Sequence, residues 1–243
     1  MIFTKHITFP SNGNTLFGSL YAPSETSISP GVLFIHGAGT ATSDRYIPWQ
    51  EYLAHRGFSS FSFDVGGVGK SGGKFVDSSL KNRLLDTQHA LQTFIDSGYV
   101  LPERIAVAGN SMGGHVAAML LEKESVIKAI LLCAAAAYSK DAEDKKLDAT
   151  FTKVLRRENS WYDSRAFSIL EKYAGKVFVV YGDQEEVIPE GIQKRYVAIA
   201  KEKGEGHILA GIGHALLVPK TATQEHARES LFGLSAAFLI KSL

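Results

Sequence analysis

A chain of 243 residues can enclose one sizeable α/β core, and its length alone does not call for a second domain. Apolar residues make up 45% and charged residues 21%, which excludes global disorder. The 26 basic and 25 acidic side chains leave a formal charge of +1, so no broad field is available to hold nucleic acid or anionic lipid.

The chain opens on two strand-like runs, Phe3–Phe9 and Leu16–Tyr21, separated by Ser11-Asn12-Gly13-Asn14. The Asn-Gly step there suits a hairpin turn, so an antiparallel pair is expected. Ala22–Pro30 reads as a connector rich in Pro and Ser. Five mainly apolar runs follow: Val32–Ile35, Phe58–Phe63 (diluted by serines), Ile105–Ala108, Ile127–Cys133 and Val177–Tyr181, with Ile208–Ala210 a weaker sixth. Such runs are the habit of strands covered on both faces, as in a parallel sheet. Helices are expected between them at Pro48–Arg56, Ser79–Ile95, Met112–Lys123, Glu190–Lys201 and Thr221–Lys241. Alternation of this kind predicts a doubly wound, mostly parallel α/β sheet with an antiparallel start. Ala134–Lys172 breaks the rhythm: it is polar, with Trp161, Tyr162 and Phe167 interspersed, and reads as a small helical cap inserted in a single 1–243 domain.

Gly109-Asn110-Ser111-Met112-Gly113 carries the sharpest chemical signal. It follows an apolar strand and opens a helix of small residues, the setting in which G-x-S-x-G has meaning. Flanking glycines allow a tight turn that lifts a serine hydroxyl above the sheet edge. A serine becomes nucleophilic only beside a base. In folds with this turn the chain order is serine, acid, histidine, which leaves His207, His214 and His226. His207 is placed at the start of the last strand and His226 inside the terminal helix. His214 follows that strand's carboxyl end, where reacting groups of parallel sheets collect, and is the expected base. His115, four residues after Ser111, competes only weakly, because a helix N-terminus disfavours an imidazolium. The acid belongs after Val177–Tyr181, where both Asp183 and Glu185 satisfy the turn length.

These parts together resemble the α/β-hydrolase superfamily, and within it the small serine aminopeptidase-like and cinnamoyl-esterase-like esterases. The resemblance runs from His36-Gly37-Ala38-Gly39 to His214 and weakens across the cap. It implies an oxyanion hole formed by the N–H groups of Ala38 and Met112. It also implies that the Asp64–Gly73 turn (D-x-x-G-x-G-x-S-x-G) is structural, and that Glu185 occupies the acid slot in preference to Asp183. Glutamate where aspartate is commoner, and Asn110 where many relatives carry histidine, are departures that remove no reacting group.

The function these residues imply is a serine carboxylesterase acting on a small-molecule ester through an acyl-enzyme. Peptidase or thioesterase activity on the same triad, and a non-catalytic binding protein of hydrolase fold, are the competing readings. A nucleotide-binding reading of Gly69-Lys70-Ser71 fails because Asp64 stands where a P-loop needs glycine. Tyr46, Trp49, Trp161, Tyr162 and Phe167 are the candidates for a substrate pocket. Cys133, the only cysteine, is expected as a core thiol. No metal-ligand spacing or dinucleotide fingerprint is present, so no metal or other cofactor is expected. The opening residues lack a signal peptide's apolar stretch, and no run approaches the ~20 residues of a membrane helix, so a cytoplasmic protein without membrane attachment is expected. Nothing in the chain signals an oligomeric state.

Overall fold

The computed structural model describes residues 1–243. Asn12 and Gly13 both adopt positive φ (47° and 75°), joining β1 (Phe3–Ser11) to β2 (Asn14–Ala22) with Ser11 opposite Asn14. That geometry matches the right-handed twist of the flanking strands, which is why Asn-Gly sits there. Six further strands complete one sheet: β3 (Ser29–Ile35), β4 (Ser59–Asp64), β5 (Val100–Asn110), β6 (Ile127–Cys133), β7 (Lys176–Gly182) and β8 (Gly204–Leu209). Their order is β1-β2-β4-β3-β5-β6-β7-β8, antiparallel through β2–β4 and parallel from β4 onward. The sequence order changes direction around β3, which opens a crevice beyond its carboxyl end.

Seven α-helices cover the sheet: α1 (Ile47–Ala54), α2 (Leu80–Asp96), α3 (Met112–Leu120), α4 (Ala149–Leu155), α5 (Arg165–Lys172), α6 (Glu190–Lys203) and α7 (Ala222–Ser242). α1 and α7 pack together on one face, while α2, α3, α5 and α6 pack in succession on the other. Central strands are therefore buried on both sides, and Val32 to Ile35 are wholly enclosed. The serines of β4 are enclosed as well, yet their hydroxyls are satisfied. Ser59 bonds Ser29 at 2.8 Å, and Ser60 and Ser62 hold the Gln50 amide at 3.2 and 2.9 Å. Buried polar atoms are tolerated when paired in this way.

Two strands differ from the sequence expectation. β5 begins at Val100 instead of Ile105, with a register shift that leaves Leu101–Arg104 outside the ladder. β8 lies at 204–209, further back than Ile208–Ala210, because an edge strand paired on one side only can be built from Gly-Glu-Gly-His. His207 consequently sits in mid-strand opposite Val180, with Nε2 3.1 Å from Glu205.

Segment 134–172 carries a 3₁₀ turn at Lys140–Ala142 followed by α4 and α5. It docks on the α3 side through buried Tyr138, Phe151, Val154, Phe167 and Leu170. Arg165 clamps it with a two-point contact to Glu143 (both 2.9 Å) and one to Glu122 (3.0 Å). No helix of the protein is long and apolar enough to cross a membrane.

Candidate active site

Ser111 stands between β5 and α3 with φ 53° and ψ −119°, a conformation that costs a non-glycine residue ~1–3 kcal/mol. Neighbouring bonds impose it. The Ser111 N–H donates to the Cys133 carbonyl (3.0 Å), and its own carbonyl accepts from Gly114 (2.9 Å) and Ala136 (3.0 Å). The Asn110 amide donates to the same Cys133 carbonyl at 3.0 Å, so this departure from the family pattern is used to pin the turn. Two glycines are required by crowding. A Cβ on Gly109 would lie 2.3 Å from the Gly113 carbonyl oxygen, and one on Gly113 would lie 2.1 Å from that of Ile35. The serine is thereby aimed into the crevice beyond β3.

His214 reaches the same point from the loop after β8. Its Nε2 lies 3.0 Å from Ser111 Oγ, and its Nδ1 lies 2.9 and 3.0 Å from the two oxygens of Glu185. Glu185 hangs from the turn after β7, its side chain only 1% exposed. Burial works to raise its pKa, but the His214 hydrogen bond and the N–H groups of Ile188 and Val187 outweigh that and hold it below the ordinary carboxylate value. Asp183 is exposed and accepts instead from the Gly211 N–H at 2.8 Å, tying this turn to the loop that carries His214. Turn length left both carboxylates in reach of the imidazole; the structure brings Glu185 to it and Asp183 to backbone.

The His36–Gly39 loop lies directly against Ser111, since a Cβ on Gly37 would be 3.2 Å from Ser111 Cβ. His36 is enclosed, and burial pushes its pKa down to about 3, so the ring is neutral at physiological pH. Its Nε2 accepts the Val65 N–H (3.2 Å), which leaves the proton on Nδ1 to donate to the Gly37 carbonyl (2.7 Å). Arg83 completes the loop's support: its Nη2 donates to the carbonyls of His36 (2.7 Å) and Gly37 (3.0 Å). Burial lowers the Arg83 pKa to about 10, which leaves the guanidinium charged. The Ala38 N–H, next along the chain, donates to no protein acceptor. Met112 is the first residue of α3, where an N–H has no carbonyl in a preceding turn.

Sequence reasoning passed over Arg83. A signal existed, because Leu80, Arg83, Asp86, Thr87, Ala90, Leu91 and Phe94 form the buried stripe of α2, and Arg83 and Asp86 are charges out of place in such a stripe.

A cavity of about 110 Å³ opens at Ser111 and His214, walled by Gly37, Ala38, Arg45 and the Ala215–Val218 segment. None of the five aromatic candidates lines it. Tyr46 is buried with its hydroxyl on the Ile35 carbonyl (2.8 Å), and Trp49 is buried with its N–H on Ser235 (3.0 Å), stacked on Phe232. Phe167 is enclosed between Tyr196 and Trp161, while Tyr162 is 71% exposed. Trp161 packs over Gly191. All five serve packing or surface instead of this cavity.

His115 is buried edge-on to Tyr138, neither ring nitrogen has a partner, and burial pushes its pKa down to about 3. His226 is exposed on α7. Burial pushes the Cys133 thiol pKa up, as for a core thiol. In the Asp64–Gly73 turn the backbone N–H groups that a phosphate would need are spent on carboxylates, with Lys70 donating to Asp64 (2.9 Å) and Gly66 to Asp86 (2.9 Å).

Residues 27–164, more than half of the chain, match the family described as serine aminopeptidase, S33. The uncharacterized protein YfhR of Escherichia coli O157:H7 is 25% identical over 213 residues, covering 82% of this chain and 69% of that one. Est1E from Butyrivibrio proteoclasticus, solved with ferulic acid bound, shares the fold with a TM-score of 0.77 at 22% identity, over 97% of this chain and 98% of that one. The thermophilic esterase Est2 from Thermogutta terrifontis does so with a TM-score of 0.75 at 16% identity, over 98% and 92%. The fold is that of the α/β hydrolases, and the chain belongs to their serine aminopeptidase S33 family.

Proposed function

We propose that the protein is a serine carboxylesterase that works through an acyl-enzyme, with Ser111 as nucleophile, His214 as general base and Glu185 as its orienting acid. The observation that carries this reading is the unbroken chain of contacts from Ser111 Oγ to His214 Nε2 (3.0 Å) and from His214 Nδ1 to Glu185 (2.9 Å). In this reading the imidazole takes the hydroxyl proton as Oγ bonds to the ester carbonyl carbon. The oxyanion is received by the N–H groups of Ala38 and Met112, each worth ~10²–10³ in rate in sites of this kind. The imidazolium returns its proton to the alcohol oxygen as the carbon–oxygen bond breaks. A water then gives a proton to His214 and adds to the acyl carbon, and Ser111 leaves reprotonated. One ester and one water become one acid and one alcohol.

Glu185 stays a carboxylate throughout and fixes the tautomer with its proton on Nδ1. The chain acts as one unit, 1–243, with the 134–172 insertion a helical cap on the α3 side. A panel of 4-nitrophenyl esters from acetate to laurate, beside a matched peptide nitroanilide and a thioester, tests the reading. The cavity of about 110 Å³ predicts fastest turnover with the shortest acyl groups. Faster cleavage of the anilide than of any ester would contradict it.

Arg83 enters as a positioning residue. Its two hydrogen bonds hold the carbonyls immediately before Ala38, so their loss lets the oxyanion donor drift. Arg83→Met is expected to lower kcat by about 10–100-fold with KM nearly unchanged, part of what a lost donor costs. Thermal stability should fall as well, because the buried His36 and Gly37 carbonyls lose their donor, so the kcat-against-KM split is the readout that matters. A rise in KM with kcat unchanged would contradict the positioning role.

A further inference from the structure

The cavity at Ser111 contains a cation that the protein leaves unmatched. Arg45 lines it together with Ser111 and His214, and no carboxylate does. The neighbouring Asp44 turns instead to Lys70, 3.7 Å away. The guanidinium's protein hydrogen bond is a long one, 3.4 Å from Nη2 to the Thr40 hydroxyl. Its backbone, by contrast, is firmly held. Arg45 rides on the 3₁₀ turn Ser43–Tyr46, whose first residue donates its N–H to buried Asp64 (2.8 Å) and whose last donates its hydroxyl to the Ile35 carbonyl (2.8 Å). A positioned cation without a counter-ion, beside a nucleophile, is a recognition element for an anion. The same sign of charge repels the ammonium of a peptide N-terminus, which needs a carboxylate in that place.

Size narrows the ligand. The cavity of about 110 Å³ is well under the ~300–1,000 Å³ of sites that enclose drug-sized ligands. A second groove, about 270 Å³, continues past His214 through Ala215 and Val218 toward Lys220 and Gln224. Ser111 and Ala38 line the Arg45 cavity and not the second groove, so the Arg45 cavity suits the acyl group and the groove past His214 suits the departing alcohol. Building on the esterase reading above, we infer that the substrate is an ester of a short acyl chain ending in a carboxylate, which Arg45 receives. The products are an alcohol and a short dicarboxylic acid.

The test compares kcat/KM for monomethyl succinate with that for methyl 4-methylpentanoate, which has the same shape and no charge, by methanol release. The wild-type protein is expected to favour the charged ester by about 10–100-fold, the range of one close charge pair in a partly solvated site. That ratio should fall by a similar factor in Arg45→Gln. In Arg45→Glu the preferred ester should become methyl 4-(trimethylammonio)butanoate. Raising NaCl to about 0.5 M should shrink the wild-type ratio, a readout that requires no variant to fold. A wild-type preference for the uncharged ester, or a ratio that Arg45→Gln leaves unchanged, overturns the inference and leaves the esterase reading standing. Absence of Ser111-dependent turnover of these esters and of 4-nitrophenyl acetate overturns both.

Discussion

Ser111→Ala is expected to yield a folded protein whose ester turnover is lower by about 10⁴-fold or more, the scale of removing a nucleophile from a serine triad. The residual rate over water would come from the oxyanion donors and from binding alone. Folding should survive because the turn is shaped by backbone bonds that alanine keeps: the N–H to Cys133 and the carbonyl to Gly114 and Ala136. Alanine carries the same φ of 53° at a similar steric cost, so the substitution tests chemistry more than stability. Steady-state kinetics beside a thermal melt checks both halves. A melt that collapses together with activity would show the hydroxyl to be structural.

The second large effect separates the two carboxylates after β7. Glu185→Gln keeps the shape but offers the imidazole an amide, which either presents a donor to Nδ1 or accepts weakly from it. The tautomer is no longer fixed, and kcat is expected to fall by about 10²–10⁴-fold. Asp183→Asn removes a charge two residues away and should alter kcat less than about threefold, since its carboxylate only accepts the exposed Gly211 N–H. Comparable losses in the two variants would contradict the assignment of Glu185.

Stability should report the same carboxylate. The folded pKa of Glu185 is held below its ordinary value, so the unfolded state binds a proton more readily. Its contribution is therefore complete above the unfolded pKa of ~4.3 and is lost as pH falls through the lower folded value. Acid melts of wild type and Glu185→Gln should differ in slope within that window and run parallel above it.

Much of the architecture could be read from local pattern because burial on both faces leaves an unbroken apolar run, as in Val32–Ile35 and Ala129–Cys133. β8 was hard to place for the same reason in reverse: an edge strand needs little apolar surface, and Gly204–His207 has little. That Ser111 and His214 would meet was legible because turn chemistry and chain order restrict them strongly. Glu185 was not separable from Asp183 by spacing, since the decision is made by the Val187 and Ile188 N–H groups that fold the side chain inward. The aromatic residues misled for a different reason. Trp49 finds its partners Phe232 and Ser235 more than 180 residues along the chain, a distance over which local pattern carries no information. Arg45, the charged residue in the cavity, sits in a polar loop where nothing distinguishes it until the fold closes.

The central claim is that Ser111 is made unusually nucleophilic by the imidazole 3.0 Å away. Reaction of the intact protein with a fluorophosphonate, read by mass spectrometry, measures this directly, because only an activated serine is phosphonylated at a useful rate. A single adduct is expected, on the peptide containing Ser111. Absence of an adduct from the folded protein, or labelling that persists in Ser111→Ala, would contradict it.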